Sequence, residues 1–365
     1  MNEQNERMDI DMKKAVFFPV NYDNREIFQY EYLIEHYNVV KGIALERFCD
    51  DTNFEKKTIN YSDFFKEELD YDTIILWNSE EQYDLRIYEE LIGKAISQKK
   101  EIAVCENLYS VIRHLIHNYD KKYVIRADRR TENEIETIYG KEEIKILKNI
   151  STPIVCVLGM GDYCNKFACE LELRDFFVSK KYKVLQIGSK DISGFFGIYN
   201  LPNFLYKPIY SLEDKAFLFN YYLSLLEEKY QPDIIIIGIP GGILPANNKI
   251  LNGLGEVPFV IMNSIKVDIG ILCIYHNAVE THIINEYINC CKYRFNTKIE
   301  NILVSNTAFT FDMDRDMRSL KYYHLEEKYQ LDYDEYKDYN IFSINSVGIA
   351  LDRLHQKLLD GIEVL

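Results

Sequence analysis

From Ile154 to Phe167 the chain reads Ile-Val-Cys-Val-Leu-Gly-Met-Gly-Asp-Tyr-Cys-Asn-Lys-Phe, an apolar run that passes through a glycine turn to a lysine. Such a run, bounded by glycine, predicts a buried central strand of a parallel sheet, and the lysine that follows predicts the start of a helix. A turn of this composition is suited to phosphate. Glycines let backbone N–H groups approach the oxygens, a lysine meets the β- and γ-phosphates, and a Ser or Thr hydroxyl takes the magnesium ion. Gly159, Gly161 and Lys166 are in place, but the residue before the lysine is Asn165 and the hydroxyl position is Phe167, which offers no oxygen. The architecture of a phosphate loop is kept, while two of the positions that carry its chemistry depart from the pattern.

A chain of 365 residues exceeds one ordinary core and suggests two domains. With 58 acidic against 43 basic residues, the net charge of −15 argues against a nucleic-acid partner or an anionic membrane surface, both of which require a basic face. No long apolar run predicts a membrane span, and the polar start Met1-Asn-Glu-Gln-Asn-Glu-Arg7 lacks a signal-peptide core, so a cytoplasmic location is expected. The eight cysteines, Cys49, Cys105, Cys156, Cys164, Cys169, Cys273, Cys290 and Cys291, contain no CxxC pair. They predict neither a disulfide framework nor a metal site.

Strand and helix patterns alternate along both halves, which implies α/β architecture: two domains, each a parallel sheet with helices on both faces, the second P-loop-like. A Rossmann-like domain is expected over residues 1–118. Its strands are Ala15–Val20, Val39–Leu45, Asp72–Trp77 and Glu101–Cys105, with helices over Glu26–His36 and Tyr83–Gln98. A charged connector with one helix occupies 119–150, and the P-loop-like domain spans 151–365. There the expected strands after the loop are Lys183–Ile187, Pro232–Gly238, Phe259–Met262, Gly270–Tyr275 and Asn301–Ser305. Helices are expected up to Lys180, over Leu212–Lys229 and over Ser346–Leu359.

The glycine turns Gly188–Gly194 and Gly238–Gly242 should join the loop at one sheet edge, which adds Asp191 and Gly241 to Gly159, Gly161, Asn165 and Lys166 as candidate binding residues. Magnesium–nucleotide sites place an acidic residue at the end of the third strand. Here that end is Gly238-Ile-Pro-Gly-Gly242, and Asp162 or Asp191 are the carboxylates available to replace it. His276 follows a strand end and reads either as a ligand-facing residue or as a helix cap. Asp312-Met-Asp-Arg-Asp316 lacks the glycine and terminal glutamate of a calcium loop and reads as a solvated turn. Ser305 and Ser343 have no local hydrolase motif. In the first domain the strand ends Asn21–Asn24, Asn78-Ser79 and Glu106-Asn107 would line a ligand crevice.

Five residues separate Gly159 from Asn165, a spacing that resembles dethiobiotin-synthetase-like P-loop proteins. On that alignment Gly159, Asn165, Lys166 and Phe167 occupy the motif positions. The stretch from Ile154 to about Asn277 resembles the P-loop half of a two-domain family, some members of which are linked to N-acylation of D-amino acids. The phrases Val157-Leu-Gly-Met-Gly161 and Ile239-Pro-Gly-Gly242 are similar to those of clostridial proteins of peptide maturation systems, which accompany radical enzymes and bacteriocin-type precursor peptides. That resemblance implies an accessory role in maturing a ribosomally synthesised peptide natural product, with a precursor peptide or a peptide-modifying radical enzyme as partner. Candidate partner contacts are Asp23, Asn78, Glu106 and Asp191. The residues themselves imply only an α/β ligand-binding protein, for which a nucleotide or a phosphate anion is the candidate ligand. They leave open an ATP-dependent ligase or acyl-transfer enzyme.

Overall fold

The computed structural model describes residues 12–34, 36–45, 56–78, 84–125, 130–138, 144–325 and 339–362. They form two compact units, one within Met1–Ala127 plus Gly194–Gly197, the other within Asp128–Ser193 and Ile198–Leu365. Each is built on a parallel sheet flanked by helices.

The first unit runs β1 (Lys13–Phe18), α1 (Glu26–Gln29), β2 (Tyr37–Ala44), β3 (Thr58–Asn60), α2 (Tyr61–Phe64), β4 (Thr73–Leu76), α3 (Leu85–Ser97), β5 (Glu101–Cys105), α4 (Glu106–Ile116) and β6 (Lys122–Ile125). The sheet order is β3-β2-β1-β4-β5-β6, all neighbours parallel, the order of a doubly wound dinucleotide-binding sheet. Residues 73–76 of β4 are all buried, as a strand covered on both faces demands. The expected helix over Glu26–His36 is cut short: α1 ends at Gln29, and Glu31–Leu33 is a separate 3-10 turn after Tyr30 leaves helical geometry. The short strands β3 and β6 were not anticipated. Thr58-Ile-Asn60 and Lys122-Tyr-Val-Ile125 are too brief and too polar to carry a period.

The second unit begins with α5 (Arg130–Ile138), β7 (Ile154–Gly159), α6 (Lys166–Ser179), β8 (Val184–Gly188), β9 (Tyr199–Asn200), α7 (Leu212–Tyr230) and β10 (Ile234–Gly238). It continues through α8 (Glu256–Ser264), β11 (Ile269–Ile274), α9 (Thr281–Arg294), β12 (Ile299–Val304), the antiparallel hairpin β13 (Thr307–Phe311) and β14 (Leu320–His324), β15 (Ile341–Ser343) and α10 (Val347–Ile362). The main sheet, β15-β12-β11-β7-β10-β8-β9, is parallel throughout. β7, β10 and β11 are buried along their whole length and form its centre. Burial of one isoleucine contributes roughly 1.5–3 kcal/mol, so the Ile234–Ile237 run of β10 is stable only at such a position. Phe259–Met262, expected as a strand, lies inside α8. Four apolar residues in a row fit a buried helix as well as a strand, and Gly255 in the left-handed region with Pro258 in the first turn starts the helix. Of residues 119–150, β6 belongs to the first sheet. Helix α5 belongs to the second unit, where Glu132 accepts a hydrogen bond from the Asn203 N–H at 2.8 Å.

Candidate functional site

The chain leaves β7, reaches β8 two places away, returns to β10 between them, and then crosses to β11 on the other side. The carboxyl end of β7 is thus a switch point, where an open parallel sheet leaves a crevice. The Gly159–Lys166 turn occupies it and joins β7 to α6, as expected. Asn165 takes the left-handed conformation that a glycine would take, with φ +61°. Asparagine tolerates that region better than most residues, so the turn keeps its path without the glycine.

Lys166 is 7% exposed and folds back over its own loop. Its Nζ donates to the Gly161 carbonyl and, at 3.0 Å, to the Gly241 carbonyl, with the Cys164 sulfur 3.8 Å away. This brings the third-strand turn onto the loop. Gly241 has φ +66°, and a Cβ on Gly242 would lie 2.4 Å from the Met160 carbonyl. The loop glycines are close-approach positions. A Cβ on Gly159 would meet Cys164 Sγ at 2.5 Å, and one on Gly161 would meet Tyr275 Oη at 2.4 Å. That hydroxyl donates to the Asp162 carbonyl at 2.6 Å. Among the described residues the backbone N–H groups of Gly161 and Asp162 have no hydrogen-bond acceptor. They stand free beside the start of α6, where the helix dipole favours an anion.

The end of β10 carries no carboxylate of its own, but a buried one from α6 lies beside it. Glu170, one turn beyond Lys166 on α6, is fully buried, and a Cβ on Gly238 would lie 2.2 Å from its carboxyl group. Its oxygens accept from the Ser189 N–H at 3.1 Å and the Ser189 hydroxyl at 2.5 Å. Burial pushes the Glu170 carboxyl up to about 7, while the Ser189 bonds and the ammonium groups of Lys166 and Lys190 pull it back. The Gly188–Gly194 and Gly238–Gly242 turns therefore do meet the loop at one edge. Asp191 begins the 3-10 segment Asp191–Phe196 and is exposed, and Asp162 is exposed on the loop, so Glu170 is the buried carboxylate of this edge. A glutamate inside the apolar stretch Phe167-Ala-Cys-Glu-Leu171 was the available signal for it. Phe167 is 1% exposed and closes the position where a hydroxyl would hold magnesium.

The hairpin β13–β14 covers the loop with aromatic rings. Tyr322 lies 4.7 Å from Tyr163 and 5.9 Å from Tyr275, and Phe309 lies 4.8 Å from Tyr275, between ring centroids. Asp312 and Asp314 sit at its tip with Lys321 at 2.9 and 3.0 Å, so the aspartate run is a turn closed by a lysine. His276 donates its backbone N–H to the Thr307 carbonyl, and the cap of α9 is Glu280 instead. Among the described residues six cysteines are buried free thiols and Cys290 is half-buried; Cys49 lies outside them. No group of three or more potential metal ligands occurs among the described residues.

In the first unit the sheet reverses between β1 and β4, but β1 runs into Pro19-Val20-Asn21, with no glycine to admit a pyrophosphate. Asn78 and Glu106 lie at that carboxyl edge, Asn78 exposed with its N–H on Cys105 Sγ at 3.2 Å, and Glu106 at the start of α4. No helix among the described residues is long and apolar enough to cross a membrane.

Fold and site together define a class: an α/β protein of two units, each built on a parallel sheet, the second with a P-loop-like turn at the carboxyl end of its central strand. No family model matches the sequence, and no curated protein matches it. Among solved structures the chain is similar to a DUF1611 family protein from Anabaena variabilis, with 8% identity and a TM-score of 0.50, over 80% of this chain and 87% of that one. It is also similar to a nucleotide-binding protein in complex with ADP from Archaeoglobus fulgidus, with 13% identity and a TM-score of 0.32, over 61% of this chain and 89% of that one. The first likeness extends over most of both chains and concerns the fold.

Proposed function

We propose that the second unit binds a phosphate-bearing ligand, a nucleotide or a phosphate anion, at the Gly159–Lys166 turn and holds it without magnesium-dependent hydrolysis. One observation carries this reading: Lys166 Nζ rests on the uncharged carbonyls of Gly161 and Gly241 beside loop N–H groups that have no acceptor. Buried Phe167 supports the second half, since it leaves no hydroxyl for the metal. The expected result is calorimetric binding of ADP that is indifferent to magnesium and lost in Lys166→Ala, with ATP turnover at background. An ATPase activity that disappears in Lys166→Ala would overturn it.

The finer reading is an accessory scaffold in the maturation of a ribosomally synthesised peptide. Its support is the resemblance of Val157–Gly161 and Ile239–Gly242 to peptide maturation proteins, together with an acidic excess suited to a basic peptide or enzyme surface. A competing reading, an ATP-dependent ligase or acyl-transfer enzyme acting on an amino acid or peptide, draws on the Glu170–Ser189 pair, because a buried carboxyl near neutrality suits a general base. ATP consumption that depends on an added amino acid or peptide, and that Glu170→Gln abolishes, would favour the enzyme.

A further inference from the structure

The turn that would hold phosphate is covered. Gly161, Cys164, Asn165 and Lys166 are buried, and Asp162 is exposed at its margin. A ligand that reaches the Gly161 N–H and the Lys166 ammonium group therefore has to displace part of what lies over them. Two elements form that cover. The turn after β10 sets the Gly241 carbonyl on Lys166 Nζ, and the β13–β14 hairpin sets Tyr322 against Tyr163 and Tyr275.

Both elements are fixed at their roots. Ile239 and Ile243 donate their N–H groups to the Val157 and Gly159 carbonyls at 2.9 and 3.3 Å, which ties the turn to β7. The Thr307 carbonyl accepts from the His276 N–H at 2.8 Å, and Asn277 exchanges two hydrogen bonds with the Phe309 backbone, at 2.8 and 3.1 Å, which ties the hairpin to the end of β11. The tips are fastened to each other. Residues 246–250 close on themselves, with Asn247 Oδ1 accepting from the N–H groups of Lys249 and Ile250. Among the described residues their polar contacts outside this turn all go to the hairpin tip: Asn247 Nδ2 donates to the Met317 carbonyl at 3.1 Å, and Lys249 Nζ donates to the Asp316 carbonyl at 2.9 Å and lies 2.7 Å from its carboxylate. That carboxylate also faces Arg318, at 3.9 Å. Ion pairs and hydrogen bonds at the surface compete with water, so the tips give way before the roots.

We infer that the two tips form a latch, which is released to admit the phosphate-bearing ligand to the turn and re-forms behind it. The inference rests on the phosphate-binding reading above. Lys249 and Asp316 make no polar contact with the Gly159–Lys166 turn, so the latch sets the rate of access and leaves affinity to the turn itself.

Stopped-flow fluorescence of the full chain with methylanthraniloyl-ADP tests it. Lys249→Met removes the ion pair and one hydrogen bond of the latch, so association and dissociation should both speed up roughly tenfold, as for one lost hydrogen bond to a charged group, while Kd changes by less than about twofold. Asp316→Asn breaks the same pair from the other side, and asparagine tolerates the left-handed backbone of that position, φ +53°, so it should speed both rates in the same way. In the ligand-free protein, hydrogen exchange of the 160–165 amides should rise in Lys249→Met while β7 stays protected. Rates that change in neither variant, a Kd that rises with an unchanged association rate, or unchanged exchange in the loop overturns the latch and leaves the binding reading intact. Absence of ADP binding by the wild type removes both.

Discussion

At Glu170 burial and local hydrogen bonding act in opposite directions. Desolvation raises the carboxyl to about 7, above the ordinary value near 4.3, and Ser189 with two ammonium groups recovers part of the difference. Because the folded carboxyl binds its proton more tightly than the unfolded one, the native state holds the extra proton between about pH 4.5 and 7, and stability falls as pH rises through that window. The wild type should lose roughly 2 to 3 kcal/mol from pH 5 to pH 8 relative to Glu170→Gln, a difference read from urea denaturation at both pH values. Gly161 makes a second residue-level test. Its missing Cβ leaves room for Tyr275 Oη, so Gly161→Ala should destabilise the protein by about 1–3 kcal/mol through overpacking. Tyr275→Phe removes the clashing oxygen, and with the ring carbon next nearest at 3.4 Å the double variant should recover part of the loss. Strict additivity of the two single changes would show that the contact does not matter.

At the scale of elements the P-loop-like turn is held from three directions: by α6 through Lys166, by the turn after β10 through the Gly241 carbonyl, and by the β13–β14 hairpin through Tyr322. The hairpin contact is the exposed one, with half-buried rings at its margin. Tyr322→Ala should remove about 1 kcal/mol of ring–ring contact and speed hydrogen exchange of the 160–165 amides while leaving β7 protected. Unchanged exchange in the loop would mean that the hairpin does not restrain it.

Over the whole molecule, the first unit includes a piece of distant sequence. Gly194–Gly197 belongs to it, with Phe195 centred 5.7 Å from Phe17, 5.9 Å from Tyr37 and 6.1 Å from Trp77. Phe195→Ala should cost about 3–5 kcal/mol and be reported by Trp77, the sole tryptophan of the chain. Net charge of −15 acts at the same scale. Association with a basic precursor peptide or its modifying enzyme should weaken as the Debye length falls from about 10 Å at 0.1 M salt to about 3 Å at 1 M. Co-purification from the native host, followed by binding at both salt levels, checks this; no such partner at low salt removes the support for the peptide reading.

The sequence by itself determined the α/β class, the buried strands β7, β10 and β11, and the turn that sets Lys166 at a helix start. Each of these is written in consecutive residues, as an apolar run, a glycine or a lysine at fixed spacing. The absence of a hydroxyl after Lys166 was also legible, because Phe167 carries no side-chain oxygen whatever the fold around it. The strand predicted over Phe259–Met262 failed because a short apolar run has no period of its own, and the hairpin over the loop was unread because its pairing joins strands of mixed polarity. Glu170 and Phe195 needed the tertiary structure. What matters for each is a neighbour far away in sequence, Gly238 and Ser189 for the carboxylate, Phe17 and Trp77 for the ring, and such proximity is decided by how the sheet orders its strands.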